Sequence, residues 1–166
     1  MTTASAAPPR RLRPATAGDV EAVAALWHEG WREAHEGNVP DELTRHRTLT
    51  ALRRRVVDDL AAIHVVSGDE GPAGFVTVHD DEVEQLYVAP AARGTGVAAR
   101  LLDHAEAVVA ERNDRAWLAV VASNARARGF YARRGWSDTG PWDYEARTGT
   151  GTVTVSVHRY EKQVRP

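Results

Sequence analysis

Cysteine is absent from the 166 residues, so the chain can build no disulfide framework, no cysteine-ligated zinc site and no acyl-cysteine intermediate. A group-transfer enzyme made of it must pass its group directly. Lysine occurs once, at Lys162, and no G-K-[ST] sequence exists, which excludes a Walker-type phosphate loop. No apolar run approaches a membrane span. The opening MTTASAAPPRR lacks the apolar stretch of a secretory signal, so residues 1–9 read as a disordered tail ahead of a single domain over residues 10–163. A net charge of −2 gives no general affinity for nucleic acid or membrane. Together these absences make a cytoplasmic protein the expectation. Arginine supplies 20 of the 21 Lys+Arg residues, which reads as GC-rich coding and suggests a bacterial source. Seven histidines show no ligand spacing, and only His28 and His35 share a helical side, so no metal is expected.

What is present centres on ARGTGVAARLL, beginning at Ala92. VEQLYV, from Val83 to Val88, has the β-branched and aromatic content of a buried strand, and Ala89-Pro90-Ala91 stops it. After the turn, Leu101, Leu102, Ala105, Val108 and Val109 recur at helical spacing, which predicts a helix beginning near Thr95 to Val97. A helix start presents unpaired N–H groups and the positive end of the macrodipole, both suited to phosphate oxygens. Gly94 and Gly96 remove the side chains that would obstruct them, and Arg93 adds a planar cationic fork. The dinucleotide fingerprint G-x-G-x-x-G is incomplete, because Ala99 stands at its third glycine and no acidic residue follows at the ribose position.

The remaining elements follow from periodicity and turn chemistry. A short strand at Leu12 to Pro14 precedes an Asp19 cap and a helix with a Val20, Val23, Ala24, Trp27 stripe. A second helix is predicted from about Glu42 to Leu60. A meander follows at Ala62 to Ser67, Gly74 to His79 and Val83 to Val88, then a strand at Trp117 to Val121 and a helix at Asn124 to Arg134. Two strands, near Trp136 to Glu145 and Val153 to Tyr160, close the chain. The order predicts a single α/β domain, a mixed sheet with helices on both faces.

Arg93-x-x-Gly96-x-Ala98 resembles the Q/R-x-x-G-x-G/A turn of the GNAT-type N-acetyltransferases, and Asn124-x-x-Ala127-x-x-Phe130-Tyr131 with Gly135-Trp136 resembles the second conserved block of that family. The resemblance runs from about Leu12 to Lys162 and is loose over residues 27–60. It implies the splayed sheet of the acyl-CoA N-acyltransferase fold, open between VEQLYV and WLAVV, with acetyl-CoA as cosubstrate. By that resemblance the backbones of Leu86 and Val88 pair with the pantetheine arm, and Arg93, Gly94, Thr95, Gly96, Val97 and Ala98 hold the diphosphate. Asn124 and Tyr131 then face the arm and the thiol end.

Acetylating an amine requires a base, because an alkyl ammonium of pKa about 10 is protonated at neutral pH. Glu82 and Glu84 stand at positions where family members carry one, and strand alternation puts both on one face; either can serve, unless they lie on a solvated edge. Tyr131 matches the family's acid for the departing thiolate, of pKa about 8.5, with core packing as its other role. The Val88 N–H is the expected carbonyl polariser.

Acceptor sites in the family are walled by the first two helices and by the loop between the last two strands, here about residues 27–50 and 139–152. Trp31, Glu36, Trp142 and Tyr144 are the expected substrate contacts, since aromatic faces beside carboxylates suit a cationic amine. Trp27 and Trp31 stand i, i+4, so at least one belongs to the core. Arg53-Arg54-Arg55 reads as the wet side of a helix, offset by Asp58 and Asp59. The resulting expectation is direct acetyl transfer to a small-molecule primary amine, with no nucleic-acid or membrane partner; a homodimer is compatible with the family. A protein or peptide N-terminal acetyltransferase, or a non-catalytic acyl-CoA sensor, stands as the alternative.

Overall fold

The computed structural model describes residues 10–166; the tail expected over residues 1–9 lies outside them. The chain runs β1 (Leu12–Pro14), α1 (Val20–His35), α2 (Asp41–His46), α3 (Leu49–Asp58), β2 (Ile63–Gly68), β3 (Gly71–His79), β4 (Glu82–Val88), α4 (Val97–Ala110), β5 (Arg115–Val120), α5 (Ala125–Arg133), β6 (Ser137–Arg147) and β7 (Thr152–Gln163). Seven strands form one sheet in the order β1-β2-β3-β4-β5-β7-β6. Only β4 and β5 pair in parallel; the other neighbours are antiparallel.

Each face of the sheet has its own core. On one, α4 turns Val97, Leu101, Leu102, Ala105 and Val109 onto Val76, Val83 and Leu118, and Tyr131 of α5 joins them. The predicted stripe is therefore the buried one, except that Val108 is only partly covered. On the other, Val23, Trp27 and Trp31 of α1 pack with Leu52 and Val56 of α3 over Val65, Phe75 and Val155. Among the described residues no helix is long and apolar enough to cross a membrane.

Three expectations need correction. The helix read over Glu42 to Leu60 is two helices, divided at Arg47-Thr48, where the Thr48 hydroxyl caps α3 by accepting from the Ala51 N–H at 3.1 Å. Apolar periodicity ran through this break, but the cap restarts the chain in a new direction. Asp19 does not cap α1 with its side chain; its carboxylate accepts from the Thr16 N–H at 2.8 Å and pairs with Arg13. The acceptor-side loop assigned to residues 139–152 shrinks to residues 148–151, because β6 and β7 form a long antiparallel ladder from Ser137↔Glu161 to Arg147↔Thr152.

Candidate active site

The site is built on an irregularity in β4. Thr77 pairs with Gln85 but Val78 pairs with Val83, so Glu84 is an extra residue, a β-bulge. The bulge bends the strand and changes which side chains share a face. Val83, Leu86 and Val88 all pack on the α4 side, while Glu84 reaches Arg55 of α3 and Tyr87 joins the α1 core. Without the inserted residue, Glu84, Leu86 and Val88 would share one face.

The same bend opens the sheet. The β4–β5 ladder is confined to Glu82 opposite Trp117, and beyond it the strands part. The Ala89 N–H donates to the Ala73 carbonyl at 2.8 Å. Alternation therefore points the backbone groups of Tyr87 toward β3 and those of Leu86 and Val88 into the opening. A cavity of about 150 Å³ occupies it, with Leu86, Asn124 and Tyr131 on one part of its wall and Trp31, Glu82 and Tyr144 on another.

At the end of β4 the glycine turn leads into α4. Gly94 (φ 73°) and Gly96 (φ 84°) adopt left-handed backbone that side chains resist, and a Cβ at either would meet nothing within 4 Å. No side chain caps α4, so its first N–H groups, beginning at Val97 and Ala98, have no side-chain partner among the described residues. The Thr95 hydroxyl is turned inward, donating to the Ala92 carbonyl and accepting from Arg10 at 3.0 Å. Arg93 does not overhang the turn alone: its guanidinium is paired with both oxygens of Glu33 on α1, at 3.0 and 2.6 Å.

The two candidate bases differ sharply in environment. Neither lies on a solvated edge. The side chain of Glu84 is only 4% exposed and accepts from Arg55, from Arg147 at 3.0 Å and from His79 at 3.1 Å. Burial acts to raise its pKa, but the His79 bond and the Arg55 and Arg147 charges outweigh it and hold the group at about 2. For Glu82, burial prevails over the 2.7 Å hydrogen bond from the Tyr144 hydroxyl, and its pKa is raised. Glu84 is thus a permanent, fully engaged anion, whereas Glu82 keeps a carboxyl oxygen for other work.

Tyr131 stands in the cavity wall at 9% exposure, packed against Phe130 and Trp136. Burial raises its phenol pKa, so the hydroxyl keeps its proton. Asn124 also lines the cavity, yet its Oδ1 accepts from the Ala127 N–H at 3.2 Å and caps α5. Trp27 is core and Trp31 reaches the cavity, stacked on His35 with centroids 5.3 Å apart. Glu36 is placed away from the cavity; it ends α1 at the surface and pairs with Arg32 one turn back. Trp142 is likewise outside the cavity wall, 38% exposed and packed edge-on to Trp117 at 5.2 Å. Spacing places a residue in a segment, while strand register and helix phase decide which way it faces.

Three residues of the site escaped the sequence reading. Arg55 is not on the wet side of α3; it stacks 4.8 Å from the Trp27 ring and binds Glu84. Tyr87 lines the cavity and stacks on Phe75, and Gly30 of α1 lies so close that a Cβ there would sit 2.5 Å from its ring. Arg47, at the break between α2 and α3, is buried and lines the cavity. Only the α1 glycine offered a signal in advance, since glycine inside a helix often marks a close approach.

Donor atoms of Asp59, His79 and Glu84 lie within 4.8 Å of one another, the spacing of a cation site. Arg147 already pairs with both carboxylates and Arg55 with one. A divalent ion would have to sit against two guanidiniums, so the cluster is an ion-pair network with His79 as its third cation.

A sheet that parts at a bulged strand, beside a glycine turn leading into a helix, is the arrangement that the resemblance to the acyl-CoA N-acyltransferases implies. The chain matches the acetyltransferase (GNAT) family over residues 21–136 and belongs to it. It is 40% identical over 62 residues to uncharacterized N-acetyltransferases of Mycobacterium tuberculosis and Mycobacterium bovis, a stretch covering 37% of this chain and 40% of theirs. In three dimensions it resembles a GCN5-related N-acetyltransferase from Rhodopseudomonas palustris (TM-score 0.71, 18% identity, 96% of this chain and 98% of that one). Similar agreement extends to an N-acetyltransferase from Staphylococcus aureus (0.71, 17%, 95% and 100%) and to the PaiA N-acetyltransferase of Thermoplasma acidophilum in complex with coenzyme A (0.67, 18%, 92% and 98%).

Proposed function

We propose that this protein transfers acetyl from acetyl-CoA directly to a primary amine of a small molecule. The observation that carries the reading is the presence of a carboxyl without a cationic partner among the described residues, Glu82, and a protonated phenol, Tyr131, in one cavity at the parting of β4 and β5. The residues fit the cosubstrate. Gly94, Thr95, Gly96, Val97 and Ala98 offer uncapped N–H groups to the diphosphate, with Arg93 shared between it and Glu33. Leu86 and Val88 offer a free strand edge to the pantetheine arm, and Asn124 borders it. Acetyl-CoA supplies an activated thioester when bound.

The chain's own groups then divide the proton work. Glu82, raised by burial and oriented by Tyr144, takes the proton from the amine. Glu84 does not, because its hydrogen-bonding capacity is spent on two arginines and a histidine. Its role is to hold the floor of the site. Tyr131 donates its proton to the leaving sulfur, and the Val88 N–H stabilises the acyl oxygen. Trp31 and Tyr144 border the acceptor. Trp31, Val39, Leu43 and Tyr144 wall the cavity beside Glu82, a lining that suits a small acceptor.

Acetyl-CoA-dependent thiol release across amines, amino acids, polyamines and short peptides tests the reading, and a chain without cysteine contributes no background. Release with one class is the expected result. Acetyl-CoA binding with no release on any amine would instead favour an acyl-CoA sensor.

A further inference from the structure

Arg47 is 6% exposed, yet it forms no ion pair among the described residues. Among the described residues its side chain makes one hydrogen bond, from Nη1 to the Arg147 carbonyl at 2.8 Å. A guanidinium has five N–H donors in a rigid fork, and burying one without a carboxylate is costly. The nearby carboxylate, Glu84, is already taken by Arg55, Arg147 and His79. Burial and the neighbouring Arg55 charge lower the Arg47 pKa to about 10, which still leaves it cationic at neutral pH.

Arg47, Arg55, Arg147 and His79 face Asp59, Glu82 and Glu84. Even with every group ionised, the set carries one positive charge more than it has carboxylates, and Arg47 is the one cation of the four that touches no carboxylate. It lines the same cavity as Glu82, Trp31 and Tyr144. A buried fork with free donors, facing a pocket whose opposite function is to accept a proton from an amine, matches a ligand that carries both groups.

Resting on the acetyltransferase reading above, we propose that the acceptor is a small amino carboxylate, its carboxylate held by the guanidinium of Arg47 while its amine faces Glu82. The carboxylate supplies the missing counter-charge, and the planar fork of Arg47 gives it a paired hydrogen bond that an amide or a hydrogen cannot replace. Specificity then comes chiefly from rejection. An amine lacking the anion leaves a buried guanidinium unpaired, a penalty that discriminates far better than a missing apolar contact.

The test is a comparison of free amino acids with their C-terminal amides and their decarboxylated amines in the thiol-release assay, using the wild-type full chain. Amino acids are expected to show kcat/KM about a hundredfold above the matched amide or amine. Arg47→Gln is expected to lower kcat/KM for the acid by a similar factor, mainly through KM, and to abolish the preference, with Arg47→Lys restoring part of it. Acetyl-CoA affinity reports whether each variant is folded, and the wild-type comparison stands without any variant. Equal rates for acid, amide and amine would overturn the proposal while leaving the acetyltransferase reading intact, as would preference retained in a folded Arg47→Gln protein. Acetyl-CoA binding without release on any amine would overturn both.

Discussion

The Tyr144 hydroxyl donates to Glu82 Oε1 at 2.7 Å, joining residues 62 apart in sequence. It ties β6 to β4 at the end of the opening where β4 and β5 still pair, and it fixes the carboxyl that has no cation to hold it among the described residues. Burial above all, then the adjacent Glu82 charge and this bond, raises the Tyr144 pKa and keeps the phenol protonated.

From that relationship, Glu82→Gln should lower kcat about 10²–10⁴-fold, the range associated with loss of a positioned base, while acetyl-CoA affinity stays within a few-fold. Steady-state kinetics and calorimetry separate the two quantities. A kcat within threefold of wild type would remove Glu82 from proton transfer.

Glu84→Gln should act on stability. It strips the buried anion from Arg55, Arg147 and His79, and removing one partner of a buried pair costs about 3–5 kcal/mol. Thermal unfolding measures it; an unchanged Tm with lost turnover would reverse the roles given to the two glutamates.

Tyr131→Phe removes a hydroxyl and leaves the ring that packs on Phe130 and Trp136. Turnover should fall at least tenfold with acetyl-CoA affinity nearly unchanged, as expected of a proton donor. Wild-type turnover would leave Tyr131 a packing residue.

Stability should also fall as alkali is added. His79, bonded to Asp59 and Glu84, has its pKa raised from 6.5 to about 9. A raised folded-state pKa contributes stability that is fully present below about pH 6.5 and is lost as pH climbs through about 9. Denaturant titrations across that window should show the decline, and His79→Gln should flatten it. A decline of undiminished slope in the variant would assign the effect elsewhere.

Gly30→Ala improves helix propensity by about 1 kcal/mol but drives a methyl to 2.5 Å from the Tyr87 ring, and overpacking of this kind costs about 1–3 kcal/mol. The expected net result is a lower Tm and a displaced Tyr87 in the cavity wall. A higher Tm would show that the ring yields freely.

Local pattern carried much of this protein. The α4 stripe from Leu101 to Val109 repeats at helical spacing because one face of a helix is buried, and the β2-β3-β4 meander is punctuated by its own turn residues. Gly94 and Gly96 were readable because left-handed backbone selects glycine whatever lies around it. Segments with a two-sided or interrupted pattern were not. The break at Arg47-Thr48 hides inside continuous helical periodicity, and the phases of Glu36 and Trp142 follow from helix and strand geometry that no single segment specifies.

The sequence alone therefore determined the order of elements, the phosphate-suited turn and the identity of the family, since these rest on short-range periodicity, backbone preference and motif spacing. Tertiary structure alone decided which glutamate is free and which is bound, because that depends on Arg55, His79 and Arg147 arriving from three other elements. It also decided that Arg47 is buried without a carboxylate. A charge acquires its chemistry from the dielectric and the partners around it, and those are assembled only when distant segments pack.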